Sequence, residues 1–287
     1  MTSKVGSQES PALSGTLLLV GAGKMGGALL KGWLAGGISG RDVSVLDPAP
    51  PAEICGMLEA EGINTIARPD AAAAAPQVIV MAVKPQVMDD VFPAVAALAG
   101  PATLVVSIAA GRSIAGFEKH LPAGSAVVRA MPNTPAAIAR GITVCCGNAH
   151  VSGRQRDLCA GLLGAVGEVA WVADENLIDA VTAVSGSGPA YVFLLAECLA
   201  DAGVAAGLDP ALAMRLARAT VSGAGELMHL SDEEAAVLRH NVTSPGGTTA
   251  AALAVLMAEG GAGGCNLKNL MNKAVAAASQ RSRQLRS

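Results

Sequence analysis

The first half of the chain alternates short apolar runs with longer stretches in which apolar residues recur at helical spacing. Continuous apolar runs rich in Val and Ile predict buried strands, and the stretches between them predict helices. Strands that alternate with helices build βαβ units, whose parallel sheet is covered by helices on both faces. The predicted strands cover residues 16–20, 43–47, 63–66, 77–83, 103–108, 126–130 and 142–146, and the first two predicted helices cover residues 25–35 and 53–61.

Beyond about residue 175 the pattern changes to long stretches rich in Ala and Leu. Apolar residues recur there at i, i+3, i+4 and i+7, which predicts an all-α domain. Asp209 before Pro210, and Ser231 before an acidic run, are typical of helix starts. The predicted helices cover residues 177–205, 210–230, 232–241, 248–258 and 265–285.

These patterns divide the chain into three parts. We expect a disordered tail over residues 1–13, an α/β domain over 14–174 and an all-α domain over 175–287. Alanine-rich helices bury little area each, so two helical domains that interleave in a dimer would bury more apolar surface than one alone. A monomeric helical bundle is the alternative.

The composition of the chain excludes several function classes. Of its 287 residues 52% are hydrophobic and 15% charged, which favours a large core over wholesale disorder. A net charge of −3 and an aromatic content of 2% argue against nucleic-acid binding. The uncharged run 91–111 contains Pro93 and Pro101, which would interrupt a membrane-spanning helix. We expect a cytoplasmic protein that binds neither membranes nor nucleic acid.

The cysteines and histidines show no metal-ligand spacing. Neither a CxxC nor an HExxH motif occurs among the six cysteines and four histidines. We therefore expect reduced, buried thiols and no metal site.

Residues 21–26 (GAGKMG) form a GxGxxG motif between the first predicted strand and the first predicted helix. In this motif Gly21 permits a tight turn, Gly23 lets the backbone approach a pyrophosphate, and Gly26 allows close packing of helix and strand. The helix N-terminus then faces the phosphates. We expect this loop to bind a dinucleotide; a glycine turn that serves packing alone is the alternative.

Asp47 ends the second predicted strand, 21 residues after Gly26. A carboxylate at this position accepts hydrogen bonds from a ribose 2′-hydroxyl and repels a 2′-phosphate. The sequence therefore favours NADH over NADPH, unless Asp47 turns away to cap the following helix.

Two further strands are followed by polar residues that the cofactor cleft could use. The strand 77–83 ends with Ala82 and Val83 and is followed by Lys84 and Pro85. These residues lie at the edge of the sheet where ligands of open α/β sheets bind. The segment 131–135 places Asn133 and Thr134 between two prolines, where they can face a nicotinamide. An ordinary solvated lysine and a structural turn are the respective alternatives.

Residues 242–249 (VTSPGGTT) lead into a predicted helix inside the all-α domain. The backbone N–H groups of Gly246, Gly247 and Thr248 can hold a carboxylate there. The hydroxyls of Ser244, Thr248 and Thr249 add donors. A plain helix cap is the alternative, although a glycine pair costs helix stability of about 1 kcal/mol per residue.

No strong base is evident at the start of the all-α domain. Residues 182–215 contain neither Lys nor His, whereas a hydroxy-acid dehydrogenase of similar layout would need a proton-transferring Lys there. Hydride addition to a C=N bond meets this condition, because a protonated cyclic imine is already electrophilic. The small residues of 185–189 fit either a ligand contact or a helix crossing.

Six segments, in this order and spacing, resemble those of pyrroline-5-carboxylate reductases: GAGKMG (21–26), AVKPQ (82–86), VVSIAAG (105–111), RAMPNTPA (129–136), VSGSGPAYVF (184–193) and NVTSPGGTTAAAL (241–253). The resemblance implies an α/β Rossmann-type N-terminal domain plus an all-α C-terminal dimerisation domain, in dimers that often build rings of dimers. It also implies NAD(P)H-dependent reduction of L-1-pyrroline-5-carboxylate to L-proline, the final step of proline biosynthesis, by hydride transfer to the ring C=N bond.

The resemblance also implies roles for individual residues. The cofactor loop corresponds to Gly21, Gly23, Lys24, Met25 and Gly26, with Ala82 and Lys84 lining the cleft and Asn133 and Thr134 beside the nicotinamide. The substrate-carboxylate loop corresponds to Ser244, Gly247 and Thr248. Thr249 corresponds to the threonine that hydrogen-bonds the ring nitrogen.

Three positions depart from the family pattern: Lys24 replaces the usual Asn, Met257 replaces a polar residue, and residues 260–264 replace a Gly-Gly-Phe-type turn. Two other readings stay open at this point. One keeps the fold but reduces another cyclic imine or a 2-hydroxy acid. The other is a nucleotide-sensing regulator without catalysis.

Overall fold

The computed structural model describes residues 13–69, 75–258 and 266–286. Within these ranges the chain forms eight β-strands and eleven α-helices. The strands are β1 (Leu17–Val20), β2 (Val43–Leu46), β3 (Asn64–Ile66), β4 (Val78–Met81), β5 (Leu104–Ser107), β6 (Ala126–Met131), β7 (Gly141–Gly147) and β8 (Gly167–Trp171). The helices are α1 (Lys24–Ala35), α2 (Ala52–Ala60), α3 (Met88–Ala96), α4 (Ile114–Glu118), α5 (Gly153–Gly164), α6 (Leu177–Val181), α7 (Gly188–Ala205), α8 (Pro210–Leu230), α9 (Ala235–Asn241), α10 (Thr248–Met257) and α11 (Leu267–Leu285).

Two predictions made from the sequence concern residues that the structure does not describe. The glycine-rich segment 260–264 lies outside the described residues, and so does the expected tail 1–13 except for Leu13.

The chain divides into two compact units, Met1–Gly186 with Ser279–Ser287, and Ser187–Ala278. The division falls after Gly186 because α6 and the π-helical turn Thr182–Gly186 pack with the sheet. Ile178 of α6 is fully buried in the core of the sheet, and Gly186 lies against Met131. The expected domain limits at 174 and 175 stay a prediction.

All eight strands form one sheet in the order β3-β2-β1-β4-β5-β6-β7-β8. Neighbours are parallel except β6 and β7, which are antiparallel. The chain winds outward from β1 to β3 and then returns to place β4 on the other side of β1. The strand order therefore reverses between β1 and β4, and open α/β sheets bind ligands at the carboxyl ends of the strands at such a point.

Apolar side chains cover both faces of the sheet, as the continuous apolar runs predict. Leu17 and Leu19 of β1 enter the core on one face, and Leu18 and Val20 enter the core on the other. On the first face the Trp33 indole of α1 is buried and donates a 2.8 Å hydrogen bond to the backbone carbonyl of Leu162 in α5. This packing fixes α1, and with it the preceding glycine loop, against the sheet.

The expected α/β domain followed by helices is confirmed, and each predicted strand is found with its ends shifted by at most two residues. The sequence did not predict β8 or α5. The predicted start of a helix at residue 232 is wrong. The Ser231 hydroxyl accepts a hydrogen bond from Glu233 N in a local turn, and α9 begins only at Ala235.

The second unit has little core of its own. Among its described residues the buried hydrophobic ones are Ala200, Ala213 and Ala217, whereas Phe193 is 63% exposed and Leu194 is 57% exposed. One helical stretch, Leu177–Ala205, begins in the first unit and continues into the second; it is long and apolar enough to cross a membrane by length and composition, and 11% of its most apolar window is buried. The unit therefore exposes an extensive apolar surface.

Candidate active site

The glycine loop after β1 has the strained turn that its first glycine predicts. Gly21 has φ +92°, and its amide donates a 2.9 Å hydrogen bond to the carbonyl of Leu46 at the end of β2. A Cβ at Gly21 would lie 2.9 Å from Val83 and 3.0 Å from the Ala82 carbonyl. Any larger residue would push this loop away from β4.

The other two glycines of the motif differ in what surrounds them. A Cβ at Gly26 would lie 2.1 Å from the Gly21 carbonyl oxygen, so this glycine serves the packing of helix against turn. A Cβ at Gly23 would meet no atom within 4 Å. Gly23 is exposed and caps α1, whose first-turn amides have no carbonyl partner within the helix. The space beside Gly23 therefore fits the pyrophosphate of a dinucleotide.

The carboxylate of Asp47 contacts this loop directly. Its Oδ2 accepts a 2.7 Å hydrogen bond from Ala22 N, and its Oδ1 accepts a 2.9 Å hydrogen bond from Ala49 N. Each oxygen keeps a second lone pair, so the expectation that Asp47 contacts a ribose hydroxyl stays a prediction.

The loops after β4 and β6 lie at the same carboxyl edge of the sheet as the glycine loop, since β1, β4, β5 and β6 are parallel. Ala82 continues the ladder, with its amide 2.8 Å from the Val20 carbonyl, and Lys84 is exposed before the short 3-10 helix Pro85–Val87. Thr134 is also exposed.

The side chain of Asn133 is partly used inside the protein, and its expected place beside the nicotinamide stays a prediction. Its Oδ1 accepts a 2.9 Å hydrogen bond from Ile142 N at the start of β7. The carbonyl of this side chain therefore holds the loop against β7, which leaves the amide nitrogen as the group that a cofactor could use.

Sequence reasoning missed Arg112, which connects two loops at this edge. Its Nη2 donates a 2.7 Å hydrogen bond to the Pro85 carbonyl, and the guanidinium forms a bidentate pair with Asp89 at 2.6 and 2.9 Å. Arg112 comes directly after Gly111, beyond the end of β5, and this position at the carboxyl edge of the sheet could have indicated it from the sequence. Arg112 thus fixes the position of the loop that carries Lys84.

In the second unit, residues 244–247 form a tight turn before α10. Pro245 is followed by Gly246 at φ +70°, and Gly247 N donates a 3.0 Å hydrogen bond to the Ser244 carbonyl, as in a type II turn. The expectation that the Gly247 amide binds a carboxylate is wrong for this conformation, since that amide is used inside the turn. A Cβ at Gly247 would lie 2.5 Å from Ser244 Oγ.

The amides that remain for an anion are those of the first turn of α10. Thr248 is the first residue of this helix, and the first helical bond of the turn runs from Ala251 N to the Gly247 carbonyl at 3.2 Å. The amides of Thr248, Thr249 and Ala250 therefore precede the helical ladder and face the N-terminal end of α10. Thr249 is half-buried, and its hydroxyl lies in the same turn.

Within residues 13–69, 75–258 and 266–286, no three His, Cys, Asp or Glu side chains are grouped so that they could hold a metal ion.

Comparison with known proteins identifies the family. A family model described as pyrroline-5-carboxylate reductase dimerisation matches residues 175–285, and one described as NADP oxidoreductase, coenzyme F420-dependent, matches residues 16–111. The pyrroline-5-carboxylate reductase of Pseudomonas aeruginosa is 42% identical over 271 residues, which are 94% of this chain and 96% of that protein. The chain belongs to the pyrroline-5-carboxylate reductase family.

Solved structures of pyrroline-5-carboxylate reductases agree with this identification. The reductase of Coxiella burnetii has a TM-score of 0.87 and 33% identity, and the match covers 96% of this chain and 100% of that one. The pyrroline carboxylate reductase of Plasmodium falciparum, solved with NADP bound, has a TM-score of 0.77 and 29% identity, covering 96% and 99%.

The family defines the reaction and the cofactor class. The enzyme reduces L-1-pyrroline-5-carboxylate to L-proline, the final step of proline biosynthesis, with NAD(P)H as the reductant. Its helical domain is a dimerisation domain, through which the chain associates with a second copy of itself. The reading as a catalytically inactive regulator is therefore not retained.

Proposed function

We propose that the pyrophosphate of NAD(P)H lies on the N-terminus of α1, held by Gly23, Lys24 and Met25, with Gly21 and Gly26 shaping the loop. The observation that carries this assignment is the open space at Gly23 beside amides that lack helical partners. Ala82, Val83, Lys84 and Pro85 line the adjacent edge, and Asn133 and Thr134 lie beside the nicotinamide in this proposal. When bound, the reduced nicotinamide supplies the hydride that adds to the C=N carbon.

The substrate carboxylate, in the same proposal, binds at the N-terminus of α10. The amides of Thr248 and Thr249, the hydroxyl of Ser244 and the turn formed by Gly246 and Gly247 make up this site. An anion is stabilised there by unpaired N–H groups and by the helix dipole, without a positively charged side chain. Such a site holds the acid without placing a competing cation beside the iminium nitrogen.

Thr249 acts on the ring nitrogen. Its Oγ1 accepts a hydrogen bond from the N–H of the protonated imine and orients the C=N bond for hydride addition. A hydroxyl suffices because the protonated imine is already electrophilic, so no strongly basic side chain is required.

Asp47 favours NADH over NADPH in this proposal, because a carboxylate at the end of β2 repels a 2′-phosphate. The ratio of kcat/KM for NADH to that for NADPH measures the preference, and a strong preference for NADPH would refute it.

The enzyme is further proposed to act in the cytoplasm, as a dimer or a ring of dimers, without a membrane or nucleic-acid partner. The low aromatic content and the net charge of −3 support the last point. The apolar residues of α7 are assigned to the interface between subunits. Light scattering of the purified protein distinguishes the dimer from the ring.

Two matched substitutions test the substrate site. Gly246 and Gly207 have φ +70° and +98°, and a Cβ at either would meet no atom within 4 Å. Replacing either with Ala therefore adds similar backbone strain, about 1–2 kcal/mol. Only Gly246→Ala should raise the KM for pyrroline-5-carboxylate, while the Kd for NADH stays unchanged in both variants. Equal KM values for the two variants would refute the placement of the carboxylate.

A further inference from the structure

The loop that faces the pyrophosphate is attached to β2 at two successive amides. Gly21 N donates to the Leu46 carbonyl at 2.9 Å, and Ala22 N donates to Asp47 Oδ2 at 2.7 Å. The first bond is between backbone groups and needs no side chain as its acceptor. The second depends on one side chain, so the conformation of the loop at Ala22 depends on Asp47.

Ala22 is fully buried, so water cannot easily replace the carboxylate as the acceptor for its amide. The second oxygen of Asp47 accepts from Ala49 N at 2.9 Å, which fixes the orientation of the carboxylate. The Asp47 carboxylate thus accepts one bond from Ala49, two residues further along the chain, and one from Ala22 in the glycine loop.

The bond also divides the amides of the loop between two anions. Asp47 takes the amide of Ala22, and the first-turn amides of α1 are left for the phosphates. Gly23 lies between the two groups, and its open side depends on the turn that Ala22 begins.

We propose that Asp47 is a positioning residue that holds the glycine loop in the conformation that binds the pyrophosphate, independently of any contact with the ribose. This proposal rests on the placement of the pyrophosphate at α1 that is proposed above. It differs from the usual reading of an acidic residue at this position, which acts through the 2′-hydroxyl. The two readings give different results with a cofactor that lacks this hydroxyl.

The test compares NADH with NADH that lacks the 2′-hydroxyl of the adenosine ribose, each titrated by nicotinamide fluorescence. Asp47→Ala should weaken the binding of both by the same factor, roughly tenfold or more, since a hydrogen bond to a charged group is lost. A loss that is seen with NADH and vanishes with the 2′-deoxy cofactor would overturn the proposal. The exposed Asp42, at the other end of β2, provides the control Asp42→Ala, which should bind both cofactors as the wild type does.

Two further measurements separate positioning from general stability. In the protein without cofactor, Asp47→Ala should speed hydrogen exchange in a peptide that covers Ala22 and leave exchange in α8 unchanged. Asp47→Asn keeps one acceptor oxygen, so it should show a smaller and again equal loss for both cofactors. Unchanged exchange at Ala22 would overturn the proposal even if Asp47→Ala proved too unstable to titrate.

Gly23→Ala distinguishes failure of this proposal from failure of the cofactor site. If Gly23→Ala abolishes NADH binding and Asp47→Ala does not weaken it, the role of Asp47 is refuted and the site at α1 stands. If Gly23→Ala binds NADH as the wild type does, the placement of the pyrophosphate fails, and the proposal for Asp47 fails with it.

Discussion

Replacing single glycines by alanine separates the cofactor-binding role of the loop from its role in folding. A Cβ at Gly23 would meet no protein atom within 4 Å, and the residue has φ −67°, which alanine adopts freely. Gly23→Ala should therefore fold, at a cost below about 1 kcal/mol for a poorer helix cap. The methyl group would occupy the space proposed for the pyrophosphate. Loss of two charge-assisted hydrogen bonds, about 1.5 kcal/mol each at the low end, weakens NADH binding by about a hundredfold or more.

Two other glycines provide the comparison. Gly26→Ala would place a Cβ 2.1 Å from the Gly21 carbonyl, so it should lower both the melting temperature and the affinity for NADH. Gly56→Ala, inside α2 with open space around it, should add up to about 1 kcal/mol of stability and leave the affinity unchanged. Thermal melts and NADH fluorescence titrations of the three variants check this pattern. Wild-type affinity for NADH in Gly23→Ala would show that the pyrophosphate does not lie beside Gly23.

The remaining predictions concern catalysis, a buried ion pair and a buried thiol. Thr249→Ala should lower kcat by about ten- to a hundredfold and leave the Kd for NADH unchanged. Thr249→Ser keeps the hydroxyl and should restore most of the rate. An unchanged kcat in Thr249→Ala would show that this hydroxyl takes no part in the reaction. Glu175 accepts hydrogen bonds from Arg129 at 2.9 Å and from Ile114 N at 3.0 Å, and Arg129 is 2% exposed. Glu175→Ala leaves this buried guanidinium unpaired, so it should lower the free energy of unfolding in urea by about 3–5 kcal/mol. A wild-type urea midpoint would contradict this. A hydrogen bond with Cys145, together with burial, raises the pKa of the Cys159 thiol. Iodoacetamide should therefore label Cys159 of the native protein no faster in mildly alkaline than in neutral buffer. A steep rise of the labelling rate with pH, measured by peptide mass spectrometry, would contradict this.

The central strands were predictable because each is buried on both faces and therefore consists of a continuous apolar run. The strand β8 was not, because it lies at the edge of the sheet and its burial alternates between half-buried and exposed residues. Helix α5 has little segregation of polar and apolar residues, although Ser152 and Gln155 form a capping box at its start. That pair was the available signal.

For the candidate site, the glycine spacing predicted where an anion could bind, because the turn at Gly21 and the contact between Gly26 and the Gly21 carbonyl involve residues that are near in sequence. Hydrogen bonds between distant residues were not predictable. Asp47 and Ala22 are 25 residues apart, and Asn133 and Ile142 are connected only because β6 and β7 are antiparallel. The use of the Gly247 amide inside the turn likewise depends on the conformation of Gly246, which composition alone does not reveal.

A crystal structure of the enzyme with NADH and L-proline would show directly whether both anions bind at helix N-termini. We expect pyrophosphate oxygens within hydrogen-bond distance of the amides at the start of α1, and the proline carboxylate on the amides of Thr248 and Thr249, counting residues from every subunit of the assembly. A proline carboxylate bound instead to a lysine or arginine side chain, away from the N-terminus of α10, would contradict it.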